Sequence, residues 1–156
     1  TAIAEAKSLA TQHGYDPEGK FKEYDGKNIP FDDNFFDFTI SECVIDSIPF
    51  ELALKIIKEI DRVTKKYFYL SLISFGSDSL FEANSSTDDE IIVEGNHEKG
   101  TVQSFYDVEK INRLIENTNF KLKWGELIVH ENIMDPTIKN GRYYIVLEKT
   151  QSSKTT

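Results

Sequence analysis

Few side chains in this sequence could carry chemistry. Cys43 is the single cysteine, which excludes an intrachain disulfide framework and a cysteine-rich zinc site. A nucleophilic role for it would need a neighbouring imidazole that no spacing implies; it reads as buried beside a strand. Of the 3 histidines, His13 and His130 read as structural. His97 stands next to Glu98 in a polar stretch, without the second ligand pair at helical spacing that a metal motif requires. The other candidates are Asp25 before Gly26, Ser41-Glu42 at the end of an apolar run, Asp46 just beyond it, and Tyr106. An Asp at the carboxyl end of a strand suits ligand recognition in α/β sheets, while Asp-Gly is equally a turn-forming pair. Ser41 and Asp46 could equally cap a following helix. Asn84-Ser85-Ser86 fits a glycosylation pattern but has no secretory signal to make it meaningful.

These residues lie at the joints of a recognisable order of elements. Ile3, Ala6, Leu9 and Ala10 sit at helical spacing over Thr1–His13, and Gly14 supplies a stop. Asp16-Pro17-Glu18-Gly19 is a turn, and Phe21–Tyr24 reads as a short strand. Phe35 to Ile40 is aromatic and β-branched, the pattern of a strand buried on both faces. Phe50, Ala53, Leu54, Ile57, Ile60 and Val63 recur at three- and four-residue steps after Pro49 and predict an amphipathic helix. Tyr67–Ile73 is the strongest strand. Gly76 to Gly100 reads as a long irregular polar segment with an apolar island at Ile91–Val93. Asp107 caps a helix carrying Val108, Ile111, Leu114 and Ile115. Phe120, Leu122 and Trp124 alternate with lysines as a half-buried strand, and Leu127 and Val129 continue it. Asn140-Gly141 is a turn signal before Tyr143–Leu147, so an antiparallel pair closes the order. The tail from Gln151 is read as disordered, leaving one domain over residues 1–150.

The chain has 156 residues and a formal charge of −9, a balance opposed to general phosphate-backbone binding, which needs clustered Lys and Arg. No apolar run reaches the ~20 residues of a membrane span. No signal peptide is visible, and a reduced, cytoplasmic setting is the default. The opening Thr1-Ala2-Ile3-Ala4 runs straight into helical sequence and reads as a protein entered part-way; removal of a start Met or tag would look the same. Phe35, Phe36, Phe38, Tyr67, Phe68 and Tyr69 read as core-forming, because no basic residues interleave in the first group as a base-stacking platform requires.

Several stretches together resemble the class I S-adenosylmethionine-dependent methyltransferases, in the type 11-like group. Asp25-Gly26-Lys27-Asn28-Ile29-Pro30-Phe31-Asp32-Asp33-Asn34-Phe35-Phe36-Asp37 is similar to the segment "D-x-x-x-L-P-F-x-D-x-x-F-D". Phe38 to Pro49 follows as that family's strand four and the segment after it. Ile60-Asp61-Arg62-Val63 is similar to the "E-x-x-R-V-L" helix end, with Thr64-Lys65-Lys66 where Pro-Gly-Gly is usual. Gln103-Ser104-Phe105-Tyr106, Leu114 and Asn119-Phe120 resemble the last helix and the "G-F" before strand six. The glycine-rich loop after strand one is missing, as is the acidic residue after strand two.

The resemblance implies a Rossmann-like three-layer sandwich, N-terminally truncated, with sheet order 3-2-1-4-5-7-6 lacking strands one and two. That leaves Phe21–Tyr24 without a neighbour and one edge of Phe36–Ile40 open, an invitation to a partner chain or a second copy. It implies S-adenosylmethionine as cofactor, near Asp25, Gly26, Ser41, Glu42 and Val44, and a small-molecule acceptor near Asp46, His97 and Tyr106. No metal is implied. Methyl transfer needs a base only when the acceptor must lose a proton, and Asp46, His97, Glu98 and Tyr106 are the candidates. A non-catalytic methyltransferase-like interaction module is the alternative. A nucleotide-binding oxidoreductase ranks below both, since it needs the same missing glycine turn.

Overall fold

The computed structural model describes residues 2–75, 77, 83–87, 89–94, 99–136 and 139–150. Helix α1 (Ala2–Gln12) ends at Gly14, whose φ of +78° is the left-handed stop that glycine adopts without strain. A long connection, with no strand at 21–24, leads to β1 (Phe36–Glu42), a 3-10 turn (Ile45–Ser47), α2 (Phe50–Val63) and β2 (Thr64–Ile73). Three short strands follow, β3 (Ala83–Thr87), β4 (Glu90–Val93) and β5 (Val102–Ser104), before α3 (Val108–Ile115), β6 (Phe120–Glu131) and β7 (Lys139–Lys149).

The main sheet has the order β1-β2-β7-β6, and β3-β4-β5 form a second, antiparallel sheet. β1 and β2 are parallel, joined through α2, while β7 runs antiparallel to both β2 and β6. This α/β layout is the 4-5-7-6 portion of the order that the resemblance implies.

Core formation follows the helix pattern. α2 turns Ala53, Ile57 and Ile60 onto Phe68, Leu70 and Leu72 of β2, and α3 adds Ile111 and Leu114, with Ile145 and Leu147 of β7 completing the cluster. Burying side chains of this size contributes about 1.5–3 kcal/mol each. Asp107 caps α3 as its position predicts, its carboxylate accepting from the Lys110 N–H at 2.7 Å.

The opposite face of the sheet differs. Register places Phe38 beside Tyr67, Ile40 beside Tyr69, Tyr69 beside Val146, and Val146 beside Trp124. Tyr67, Tyr69 and Val146 are half-buried, and Phe38, Ile40 and Trp124 are exposed. α1 buries none of its residues.

Five sequence expectations change. Phe21–Tyr24 is irregular because its links are side-chain ones: Lys22 Nζ donates to the Pro30 carbonyl at 3.1 Å and lies 4.1 Å from the Phe31 ring centroid. β1 is not buried on both faces: Phe35, Phe38 and Ile40 are 56%, 49% and 64% exposed, and Phe38 and Ile40 lie on the sheet face opposite the one that packs against α2 and α3. Phe35 and Phe38 therefore leave the core that Phe68 belongs to. The segment from Gly76 to Gly100 is not wholly irregular, since its described part holds β3 and β4 around the Ile91–Val93 island. Asn140-Gly141 is no turn. It lies within β7 opposite Val129 and His130, so the connection falls earlier and β6 runs unbroken through Gly125.

Candidate functional site

The carboxyl ends of β1 and β2 converge where the chain leaves the sheet, the position at which α/β sheets bind ligands. Ser41 is buried and its Oγ has no hydrogen-bond partner. Glu42, Cys43 and Val44 are exposed, and Cys43 takes a left-handed φ of +54° that turns the chain off the strand. Cys43 was expected to be buried; this turn carries it outward, with its N–H donated to Ser71 Oγ at 3.3 Å.

Beside β1 lies an apolar crevice of about 280 Å³, lined by Tyr24, Ile29, Phe36, Ile40, Ser41, Glu42 and Val44 with Ile56, Ile60 and Val63 of α2. Its outer wall is the segment between Tyr24 and Asn34, fastened by two residues of α2. Arg62 Nη2 donates to the Ile29 carbonyl (2.8 Å) and Arg62 Nη1 to the Phe31 carbonyl (2.8 Å) and Asp33 Oδ1 (2.9 Å). Arg62 also donates twice to Glu59, at 2.9 and 2.8 Å, and Glu59 Oε2 accepts the Ile29 N–H at 2.9 Å. The hydrogen bonds from Arg62, with the Ile29 N–H adding to them, hold the Glu59 carboxyl below the usual carboxylate range against the opposing effect of burial. This clamp is what sequence reasoning missed. The i,i+3 spacing of Glu59 and Arg62 signals an ion pair, but nothing in it names the backbone carbonyls that the guanidinium seeks.

Asp25 and Gly26 follow Tyr24 at the lip of the crevice. Asp25 Oδ1 accepts the N–H groups of Lys27 (2.8 Å) and Asn28 (3.0 Å), which hold its carboxyl below the ordinary value, the Asn28 bond most strongly. Gly26 has a φ of +77°. The pair therefore forms a turn, and neither residue is among those lining the crevice.

Asp46 and Tyr106 lie inward of that group. The Asp46 side chain is 1% exposed; its Oδ2 accepts from Arg142 Nη1 at 2.8 Å and from the Ile73 N–H at 2.9 Å. Tyr106 is fully buried against Phe50, its hydroxyl 3.4 Å from the Ile45 carbonyl. Burial pushes its phenol well above the ordinary range, and the negative Asp46 adds to the shift. Neither side chain opens onto the crevice. Neither Ser41 nor Asp46 caps α2; Glu90 Oε1 takes the Phe50 N–H at 2.6 Å instead. His97 and Glu98 lie outside the described residues, and His13 and His130 are exposed. No cluster of three metal-ligating side chains occurs among the described residues, and no helix there is long and apolar enough to cross a membrane.

Comparison with known proteins gives the geometry a context. A family described as a methyltransferase domain matches residues 1–146. An S-adenosylmethionine-dependent methyltransferase from Methanosarcina mazei superposes with a TM-score of 0.73 at 18% identity, over 97% of this chain and 78% of that one. A second such enzyme, from Clostridium acetobutylicum, gives a TM-score of 0.61 at 12% identity, over 94% and 70%. Magnesium protoporphyrin IX methyltransferase from Synechocystis, solved with bound S-adenosylmethionine, gives 0.57 at 12% identity, over 95% of this chain and 54% of that one. No curated protein matches the chain.

Proposed function

From the premise that this chain belongs to the methyltransferase-domain family, we propose that it carries the acceptor-side portion of an S-adenosylmethionine-dependent methyltransferase acting on a small, non-nucleic-acid acceptor in the cytoplasm. The observation that carries this reading is the crevice at the carboxyl end of β1, with the buried and unpartnered Ser41 Oγ on its wall. A buried hydroxyl without a partner is costly unless a ligand satisfies it, so the residues present fit a polar, partly apolar cofactor.

Ser41, the backbone around Glu42 and Val44, and the turn at Asp25-Gly26 would hold the cofactor, whose activated methyl group supplies the chemistry when bound. The chain's own part is positional. Arg62 and Glu59 fix the crevice wall, the apolar lining excludes water, and the Asp46–Arg142 pair anchors the acceptor side. Asp46 is engaged by two donors, which favours a structural role over that of a base; His97 keeps the role of candidate base. No G-x-G triplet occurs in the 156 residues, so binding by this chain is expected to be weak. The open edge of β1 supports a second element of the reading, that a partner chain or a second copy pairs with it.

Calorimetric titration with S-adenosylmethionine, alongside Ser41→Ala, tests the proposal. Weak saturable binding is expected, reduced about five-fold by the variant for one lost hydrogen bond. The variant itself should fold undiminished, since the hydroxyl has no partner to lose. Absence of saturable heat, together with no methyl incorporation from labelled donor, would instead favour a non-catalytic interaction module.

A further inference from the structure

The turn from Cys43 to Asp46 carries the chain from β1 towards α2, and its polar groups are held from outside. Val44 and Ile45 line the crevice, while Asp46 faces inward and is buried. The Asp46 carboxylate is taken by Arg142 and the Ile73 N–H, both on the main sheet. Its backbone carbonyl is taken by the small sheet instead. Gln103, the middle residue of β5, donates from Nε2 to that oxygen at 2.7 Å. Gln103 is itself buried, and burying an amide is costly unless its hydrogen bonds are made. The small sheet also holds the far end of the same link: Glu90 Oε1 accepts the Phe50 N–H at 2.6 Å and the Ser104 hydroxyl at 2.7 Å. Asp46 to Phe50 joins the two walls of the crevice, the exit of β1 and the helix that supplies Ile56, Ile60 and Val63. Both ends of that link are therefore fastened to β4 and β5.

We propose that Gln103 is a positioning residue of this methyltransferase: by holding the Asp46 carbonyl it sets the turn that presents Val44 and Ile45 to the methyl donor. Order in the small sheet and binding of the donor then rise and fall together. The inference rests on the reading of the crevice as the place of S-adenosylmethionine. Gln103 is not among the residues lining the crevice, so it acts through Asp46. The turn needs such support. Cys43 holds a φ of +54°, and a non-glycine residue stays in that region only where its surroundings impose it. Tyr106, just beyond β5, adds a weaker hold from the same side, its hydroxyl 3.4 Å from the Ile45 carbonyl. The coupling works in both directions. If an ordered β5 favours the bound turn, a bound donor must favour the ordered β5 by the same factor.

The test sets Gln103→Met beside Asn119→Ala. Methionine keeps the length and bulk of the side chain and removes the donor. Asn119→Ala also gives up one side-chain hydrogen bond, to Asp61 at the amino ends of the strands, and so controls for lost stability alone. S-adenosylmethionine affinity, read by calorimetry, should fall about three- to ten-fold in Gln103→Met and stay near the wild-type value in Asn119→Ala. Amide exchange gives a second readout. In the wild-type chain S-adenosylmethionine should slow exchange at Val93 and Phe105, whose N–H groups bond to the Thr101 and Asp89 carbonyls and pair the ends of β4 and β5. Neither residue lines the crevice. That protection should disappear in Gln103→Met at saturating ligand. Equal affinity losses in the two variants would mean general destabilisation and overturn the proposal, as would protection that persists without Gln103. The wild-type chain alone can also overturn it, if S-adenosylmethionine binds and leaves exchange at Val93 and Phe105 unchanged. Absence of any binding by the wild-type chain would instead remove the reading of the crevice, and the role of Gln103 with it.

Discussion

Arg62 makes five hydrogen bonds, three of them to the wall segment and two to Glu59. Arg62→Met keeps most of the apolar stem and removes all five. A loss of stability is expected, since charge-assisted bonds are worth more than neutral ones, moderated because this guanidinium is partly solvated. Denaturant unfolding measures the loss, and proteolysis within residues 20–34 should accelerate in the same variant. Glu59 gives a pH signature of the same clamp. Its pKa is depressed in the folded chain, so the stability it contributes is present above the unfolded value of about 4.3 and is lost as pH falls through the lower, folded one. Amide exchange at Ile29 should therefore rise, relative to the intrinsic rate, below about pH 4. Glu59→Gln should abolish that dependence; a wild-type profile in the variant would show that another group is responsible. Asp25 and Gly26 were legible as a turn-forming pair from the sequence, and the turn is what the structure carries there.

At the scale of elements, Gly141 leaves no room for a side chain. A Cβ there would meet Ser74 Cβ at 2.9 Å, and Ser77 Oγ both accepts the Gly141 N–H (2.8 Å) and donates to its carbonyl (3.1 Å). Gly141→Ala should cost about 1–3 kcal/mol by overpacking and displace the connection after β2, read as a lowered melting temperature and shifted Ser74 and Phe75 amide signals. Asp107→Ala should cost about 1 kcal/mol by uncapping α3. Elements with strong periodicity were readable: α2 keeps its apolar stripe because tertiary packing and local pattern agree. Phe21–Tyr24 was not, because its alternation had no neighbouring strand to reward it and Lys22 found a carbonyl and a ring instead. Asn140-Gly141 misled for a related reason. Turn chemistry marks where a chain can bend, whereas here close backbone packing uses the missing side chain.

For the molecule as a whole, the decisive asymmetry is an edge of β1 that no described strand pairs with and one sheet face with exposed Phe38, Ile40 and Trp124. Such an edge is a template for another strand. Sedimentation should show concentration-dependent association, and Ile40→Lys should suppress it while leaving the far-UV spectrum unchanged. A wild-type chain that stays monomeric throughout would end the self-association reading. No reading of β1 alone could reveal this, since an apolar run looks the same whether or not a neighbour comes to cover it.

The small sheet is fastened in a way that constrains how it can move. Glu90 Oε1 holds the Phe50 N–H and Ser104 Oγ, while Lys110 grips Asp89 at 2.8 Å. One carboxylate thus serves two masters, stitching β4 to β5 and stoppering the front of α2. A hinge at this place could not swing freely: lifting the flap strips the first turn of α2 of the carboxylate that accepts the Phe50 N–H, so opening and fraying would have to occur as one event.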